Sequence, residues 1–173
     1  MDRHGVRTGL QITREDYHGP LGQRLVHELA DELEERYADI GDDDAAIEAS
    51  HDYHAEIAPG DLAPPAGTYL VAWVDGAAVG CAGLRRHGPT TGEIKRMWTA
   101  PAARGTGVAR ALLAALEDEA RRLGYRAVRL ETGTGQPEAI RLYASAGYEP
   151  IDPYGYYAGS SSSRCFEKPL GPA

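Results

Sequence analysis

The chain has 173 residues, 42% hydrophobic and 25% charged, with a net charge of −8. That length suits one domain spanning 1–173, with its core expected in 67–170. No apolar run approaches the roughly 18 residues of a membrane helix, Met1 to Leu10 shows no secretory pattern, and the acidic balance disfavours nucleic acid as a partner. Two cysteines, Cys81 and Cys165, are too few and too far apart for a disulfide framework or a metal spacing. They read as reduced thiols in a cytoplasmic protein. Residues 1–66 hold 16 acidic and 5 basic side chains, whereas 67–173 hold 10 and 13. The back of the chain therefore suits an anionic ligand and the front a cationic one. A solvated acidic helix and loop would also absorb much of the front charge.

In chain order, Gly9 to Thr13 reads as a short strand. From Leu21, apolar Leu21, Leu25, Leu29 and Leu33 recur every fourth residue between acidic faces, which predicts an amphipathic helix ended by Gly41 to Asp44. Pro59, Gly60, Pro64 and Pro65 mark a loop. Thr68 to Val74 then predicts a buried strand, Asp75-Gly76 a hairpin turn and Ala77 to Leu84 the returning strand. Gly88 to Gly92 turns again, and Glu93 to Thr99 is the next strand, stopped by Pro101. Gly105 to Leu123 carries a helical stripe of Val108, Leu112, Leu116, Ala120 and Leu123, with Gly124 as a left-handed end. Ala127 to Thr132 is a strand, Pro137 opens a helix that Gly147 ends, and Tyr148 to Ile151 and Ser163 to Leu170 are strands around a loop at 152–162. This order predicts an α/β fold with one mixed sheet flanked by helices.

Glu93 to Leu123 carries the clearest chemistry. A strand leads through a short loop into Arg104-Gly105-Thr106-Gly107-Val108-Ala109 at the head of a helix. The first N–H groups of a helix lack intrahelical acceptors, and the macrodipole adds about half a positive charge there. Glycines at 105 and 107 leave the backbone open to a phosphate, and Arg104 adds a cation. No G-x-x-x-x-G-K-[ST] string exists. A dinucleotide fingerprint fails at Arg110, where it needs glycine, and it would follow the first strand of a parallel unit.

Arg104-x-x-Gly107-x-Ala109 resembles the pyrophosphate loop of the GNAT superfamily of acyl-CoA-dependent N-acyltransferases. EIKRMWTAP at 93–101 looks like that family's central strand, and QPEAIRLYASAGY at 136–148 looks like its later helix. The resemblance covers about residues 67–170 and implies a single mixed, mostly antiparallel sheet of the acyl-CoA N-acyltransferase fold.

The resemblance also implies roles. Met97, Trp98 and Thr99 would offer backbone groups to the pantetheine arm of acetyl-CoA, and an N–H there would stabilise the oxyanion of a tetrahedral intermediate. Arg104, Gly105, Thr106, Gly107, Val108 and Ala109 would hold the diphosphate. Tyr143 would protonate or hydrogen-bond the departing thiolate. Gln136, where many relatives carry Asn, would contact pantetheine or cap its helix; Gln is a poor cap by propensity. Glu93 would act as general base, directly or through water, and its structural alternative is an exposed carboxylate paired with Lys95 or Arg96.

The implied reaction is direct acetyl transfer from acetyl-CoA to a primary amine of a small molecule or peptide, with cationic character expected from the acidic front. No metal is expected, and a monomer or a homodimer fits. The alternatives are a CoA-binding sensor without catalysis and an acyltransferase for a larger acyl group.

Other features read as structure. His51 and His54, with Asp52 and Glu56 nearby, lack the further ligand a metal site needs. Ser160 to Ser163 lacks a G-x-S-x-G elbow. Tyr154, Tyr156 and Tyr157 would line an acceptor pocket or pack on the sheet edge. Arg85, Arg86 and His87 would meet the CoA 3′-phosphate or stay solvated.

Overall fold

The computed structural model describes residues 9–38 and 57–171. Seven strands form one sheet with order β1-β2-β3-β4-β5-β7-β6. They are β1 (Gln11–Arg14), β2 (Thr68–Val74), β3 (Ala77–Arg86), β4 (Thr91–Thr99), β5 (Ala127–Gly133), β6 (Glu149–Ile151) and β7 (Ser163–Pro169). Helices α1 (Pro20–Tyr37), α2 (Val108–Arg122) and α3 (Pro137–Ser145) connect them. All neighbouring strands are antiparallel except β4 and β5.

Period-2 alternation sorts the strand side chains into two cores. Leu70, Ala72, Ala82, Leu84, Ile94, Val128 and Leu130 face the α2 stripe of Leu112, Leu116 and Ala120. Tyr69, Val71, Cys81 and Trp98 face Leu25, Val26 and Leu29 of α1. A fully buried leucine contributes about 1.5–3 kcal/mol, so these stripes hold the helices to opposite faces of the sheet.

The element order matches the sequence expectation, with shifts of two or three residues at the starts of β1, β4 and α2 and an extension of β3 to Arg86. β1 starts at Gln11 because Gly9 turns the chain at φ +86°. β4 starts two residues early, at Thr91. α2 starts at Val108 because Gly105 and Gly107 hold φ +72° and +87°, outside the helical range. The Asp75-Gly76 turn has positive φ at both residues, as a type I′ hairpin requires. The expected end of α1 at 41–44, and His51 and His54, lie outside the described residues.

Candidate active site

The β4–β5 ladder is short. Thr91 to Ile94 pairs with Ala127 to Leu130, and no β5 residue pairs with Lys95 to Thr99. Beyond Ile94, β4 stays with β3 while β5 stays with β7 through Gly133. The centre of the sheet therefore opens into a gap. Within β4, Lys95 pairs with Gly83 and Trp98 with Cys81, so Arg96 and Met97 together face Ala82. That is a β-bulge, and Arg96 sits at φ +57° within it. A left-handed conformation at a residue with a Cβ is strained by about 1–3 kcal/mol and is held here by surrounding packing.

The turn before α2 lies at the end of the same strand. Gly107 is the residue preceding α2, and no side chain caps that helix start. Its first N–H groups are left for a ligand or water. A Cβ on Gly105 would meet nothing within 4 Å, so φ, not crowding, demands glycine there. The Thr106 hydroxyl donates to Ala103 O at 2.6 Å, which closes the turn internally. Arg104 donates from Nε to Thr99 O at 3.0 Å and from Nη2 to Glu32 on α1.

Tyr143 reaches the bulge from α3. It is 5% exposed, and its hydroxyl donates to Met97 Sδ at 3.4 Å. Burial raises its pKa, so the phenol stays protonated. A thioether is a weak acceptor, and this donor is therefore readily exchanged for a better one.

Glu93 differs from the exposed alternative. It is 2% exposed, and Arg85 Nε donates to its Oε2 at 2.7 Å. Lys95 Nζ lies 3.7 Å from Oε1 and His87 Nδ1 lies 3.9 Å from Oε2. Arg85, not Arg96, is thus the close partner, because β3–β4 register places residue 85 opposite 93. Glu93 stands where β4 and β5 still pair, facing Arg129, short of the gap. Arg85 also lies 3.6 Å from Asp61. Arg85 and His87 therefore belong to this cluster at the start of β4, away from the 104–109 turn at its end.

Gln136 precedes α3, but its side chain does not cap the helix. Its Nε2 lies 3.4 Å from the Tyr37 hydroxyl. The serine hydroxyls serve the loop: Ser160 and Ser162 share a 2.9 Å hydrogen bond, and Ser163 donates to Glu131 at 2.7 Å. The Tyr154 ring packs under Arg129, 4.9 Å from its guanidinium carbon, and against His87, while Tyr156 is 49% exposed. No group of three metal-ligating side chains occurs among the described residues.

Sequence reasoning missed Glu32, Arg36 and Tyr37 of α1. Glu32 accepts from Trp98 Nε1 at 2.9 Å and from Arg36 Nε at 2.7 Å, besides Arg104. Burial alone would raise the Glu32 pKa, but hydrogen bonds from Trp98 and Arg104 and the charges of Arg104 and Arg36 lower it overall. A signal was available: Glu32 and Arg36 follow Leu29 by three and seven residues, the spacing of one helix face.

A mixed sheet opened between its parallel central strands, beside a glycine turn at a helix start, defines the acyl-CoA N-acyltransferase fold. The chain belongs to the GNAT acetyltransferase family, whose model, "Acetyltransferase (GNAT) family", matches residues 23–148. It is accordingly an acyltransferase. Among its relatives is an IAA acetyltransferase of Azospirillum brasilense, 42% identical over 110 residues, covering 63% of this chain and 72% of that protein. A mycothiol acetyltransferase of Sanguibacter keddieii is 33% identical across 83% of this chain and 55% of its own length. A Klebsiella pneumoniae structure described as an acyl-CoA N-acyltransferase superposes with a TM-score of 0.72 at 28% identity, over 94% of this chain and 98% of that one. An Elizabethkingia anophelis GNAT acetyltransferase with acetyl-CoA bound shares the fold, at a TM-score of 0.64 and 16% identity over 95% of this chain and all of that one. No described helix is long and apolar enough to cross a membrane.

Proposed function

We propose that residues 1–173 act as one N-acetyltransferase domain that moves an acetyl group from acetyl-CoA to a primary amine by direct attack. The observation that carries this reading is the end of β4–β5 pairing at Ile94 and Leu130, beside the Arg96–Met97 bulge. An amide-rich arm entering the gap replaces the missing ladder with its own hydrogen bonds to Met97, Trp98 and Thr99. The same backbone polarises the thioester carbonyl. The main chain of 105–109 takes the diphosphate with the uncapped start of α2, and Arg104 adds charge. Gln136, at the opposite wall of the gap, is a further contact for the arm.

The amine nitrogen attacks the thioester carbon, and the carbon–sulfur bond breaks as the tetrahedral intermediate collapses. Tyr143, kept protonated by burial, gives its proton to the departing thiolate. Glu93 accepts the amine proton through water, because its carboxylate stands short of the bulge and is held by Arg85. The acceptor is a small-molecule or peptide amine. The acidic front of the chain favours a cationic one, although much of that charge lies in 39–56, outside the described residues. Two buried free thiols, Cys81 and Cys165, suit a reducing cytoplasm.

The test is release of free thiol from acetyl-CoA across a panel of cationic, neutral and anionic amines. Turnover with cationic amines supports the full reading. Turnover confined to neutral or anionic amines overturns the acceptor class, and binding of CoA without turnover on a broad panel overturns the reaction.

A further inference from the structure

The last turns of α1 touch both walls of the gap. On the β4 side, Glu32 Oε2 accepts from Trp98 Nε1 at 2.9 Å and from Arg104 Nη2. On the β5 side, Arg36 donates to Gly135 O at 3.0 Å and pairs with Glu138 of α3 at 2.5 Å. Tyr37 packs on the same turn so closely that a Cβ on Gly133 would collide with its hydroxyl. The two halves meet at Glu32, whose Oε1 accepts from Arg36 Nε at 2.7 Å.

Arg104 is the cation of the 104–109 turn, and its guanidinium presents its donors in one plane. Glu32 and Thr99 O already occupy part of that plane. A diphosphate oxygen and the Glu32 carboxylate are both anionic acceptors for the same group, so they compete. Glu32 is not left bare when Arg104 leaves, because Trp98 and Arg36 remain as its donors. The Arg104 side chain is 36% exposed, so the pair is weak enough to be exchanged.

We propose that Glu32 is a positioning residue that competes with the CoA diphosphate for Arg104, so that CoA binding uncouples α1 from the turn before α2. This rests on the reading of 104–109 as the diphosphate site. The exchange would be felt along β4 as well as in the turn, since α1 also packs on Trp98 of the bulged strand.

Calorimetry with CoA tests it on four proteins: wild type, Glu32→Gln, Arg104→Gln and the double variant. Glu32→Gln is expected to tighten CoA by roughly five-fold in the native background and by less than about two-fold when Arg104 is absent. Glu32→Asp keeps the negative charge but draws it back by one methylene, and it too is expected to tighten CoA. Structural damage would weaken binding instead, and a simple field effect would persist without Arg104 and vanish in Glu32→Asp. Equal or weaker binding in whichever Glu32 variant folds, or an unchanged gain in the Arg104→Gln background, overturns the proposal. Absence of heat from wild type with CoA overturns the diphosphate reading itself, a separate result.

Discussion

The Tyr143 hydroxyl donates to the Met97 sulfur at 3.4 Å, joining α3 to the bulge of β4 across 46 residues of chain. The contact places a protonated phenol beside the stretch where β4 loses its parallel partner. Tyr143 also packs edge-on against Tyr148, with ring centroids 5.7 Å apart. Its position is therefore set by ring packing, and the hydroxyl contributes little to stability through so weak an acceptor. Tyr143→Phe is expected to lower kcat by about 10–100-fold while CoA affinity changes by less than about two-fold. Steady-state kinetics and calorimetry measure both quantities, and equal turnover in the two proteins removes Tyr143 from the mechanism.

Glu93, 2% exposed, is held by Arg85 Nε at 2.7 Å, and the proposed base role adds a second task to that carboxylate. Glu93→Gln keeps the shape and a hydrogen-bond acceptor for Arg85 but removes the charge. The variant is expected to lose about 10–100-fold in kcat/KM and to alter its pH profile. A profile superimposable on wild type, at unchanged kcat/KM, would show that the carboxylate serves only Arg85 and Lys95.

Gly107 holds φ +87° immediately before α2. Alanine in a left-handed conformation is disfavoured by about 1–2 kcal/mol. Gly107→Ala is therefore expected to destabilise the protein by that amount in denaturant unfolding. Because the same residue aims the first N–H groups of α2, CoA affinity should fall by roughly ten-fold. Unchanged affinity in a destabilised protein would separate the turn from the ligand.

His87 lies 3.0 Å through Nε2 from Arg129 Nη1 and 3.9 Å through Nδ1 from Glu93. Burial first, and then the Arg129 charge, hold its pKa below the usual 6.5, with Glu93 pulling more weakly the other way. The unfolded chain thus takes up this proton more readily than the folded one. The stability contributed by neutral His87 is complete above the unfolded value of 6.5 and is lost as pH falls from there towards the folded pKa. Glu32 and Glu138 have pKa values lowered from 4.5, so their losses begin only in more acidic solution. Tm of the wild type is expected to fall as pH drops below about 6.5, and that of His87→Gln to fall less. Parallel curves for the two proteins would remove His87 as the source.

The local structure was legible because short-range physics writes it. The TYLVAWV run, the Asp75-Gly76 turn and the four-residue leucine spacing of α1 each appear in the structure where their patterns place them. The α2 stripe was equally clear, but its start moved from Gly105 to Val108, because a glycine-rich helix head looks the same whether its glycines are helical or left-handed. For Glu93 the sequence left a general base and an exposed paired carboxylate side by side; the residue is buried, because exposure depends on which elements cover a strand and not on its own alternation.

What the residues determined by themselves was the order of elements, the apolar face of each and the glycine turn at 104–107, since these depend on neighbours a few positions away. Tertiary structure alone decided that β4 bulges at Arg96, that Arg85 meets Glu93, and that Glu32 joins Trp98 to Arg104 across 66 and 72 positions. A charged side chain carries no mark of its partner; strand register and helix placement bring the two within about 3 Å, and only there does one arrangement outweigh the rest.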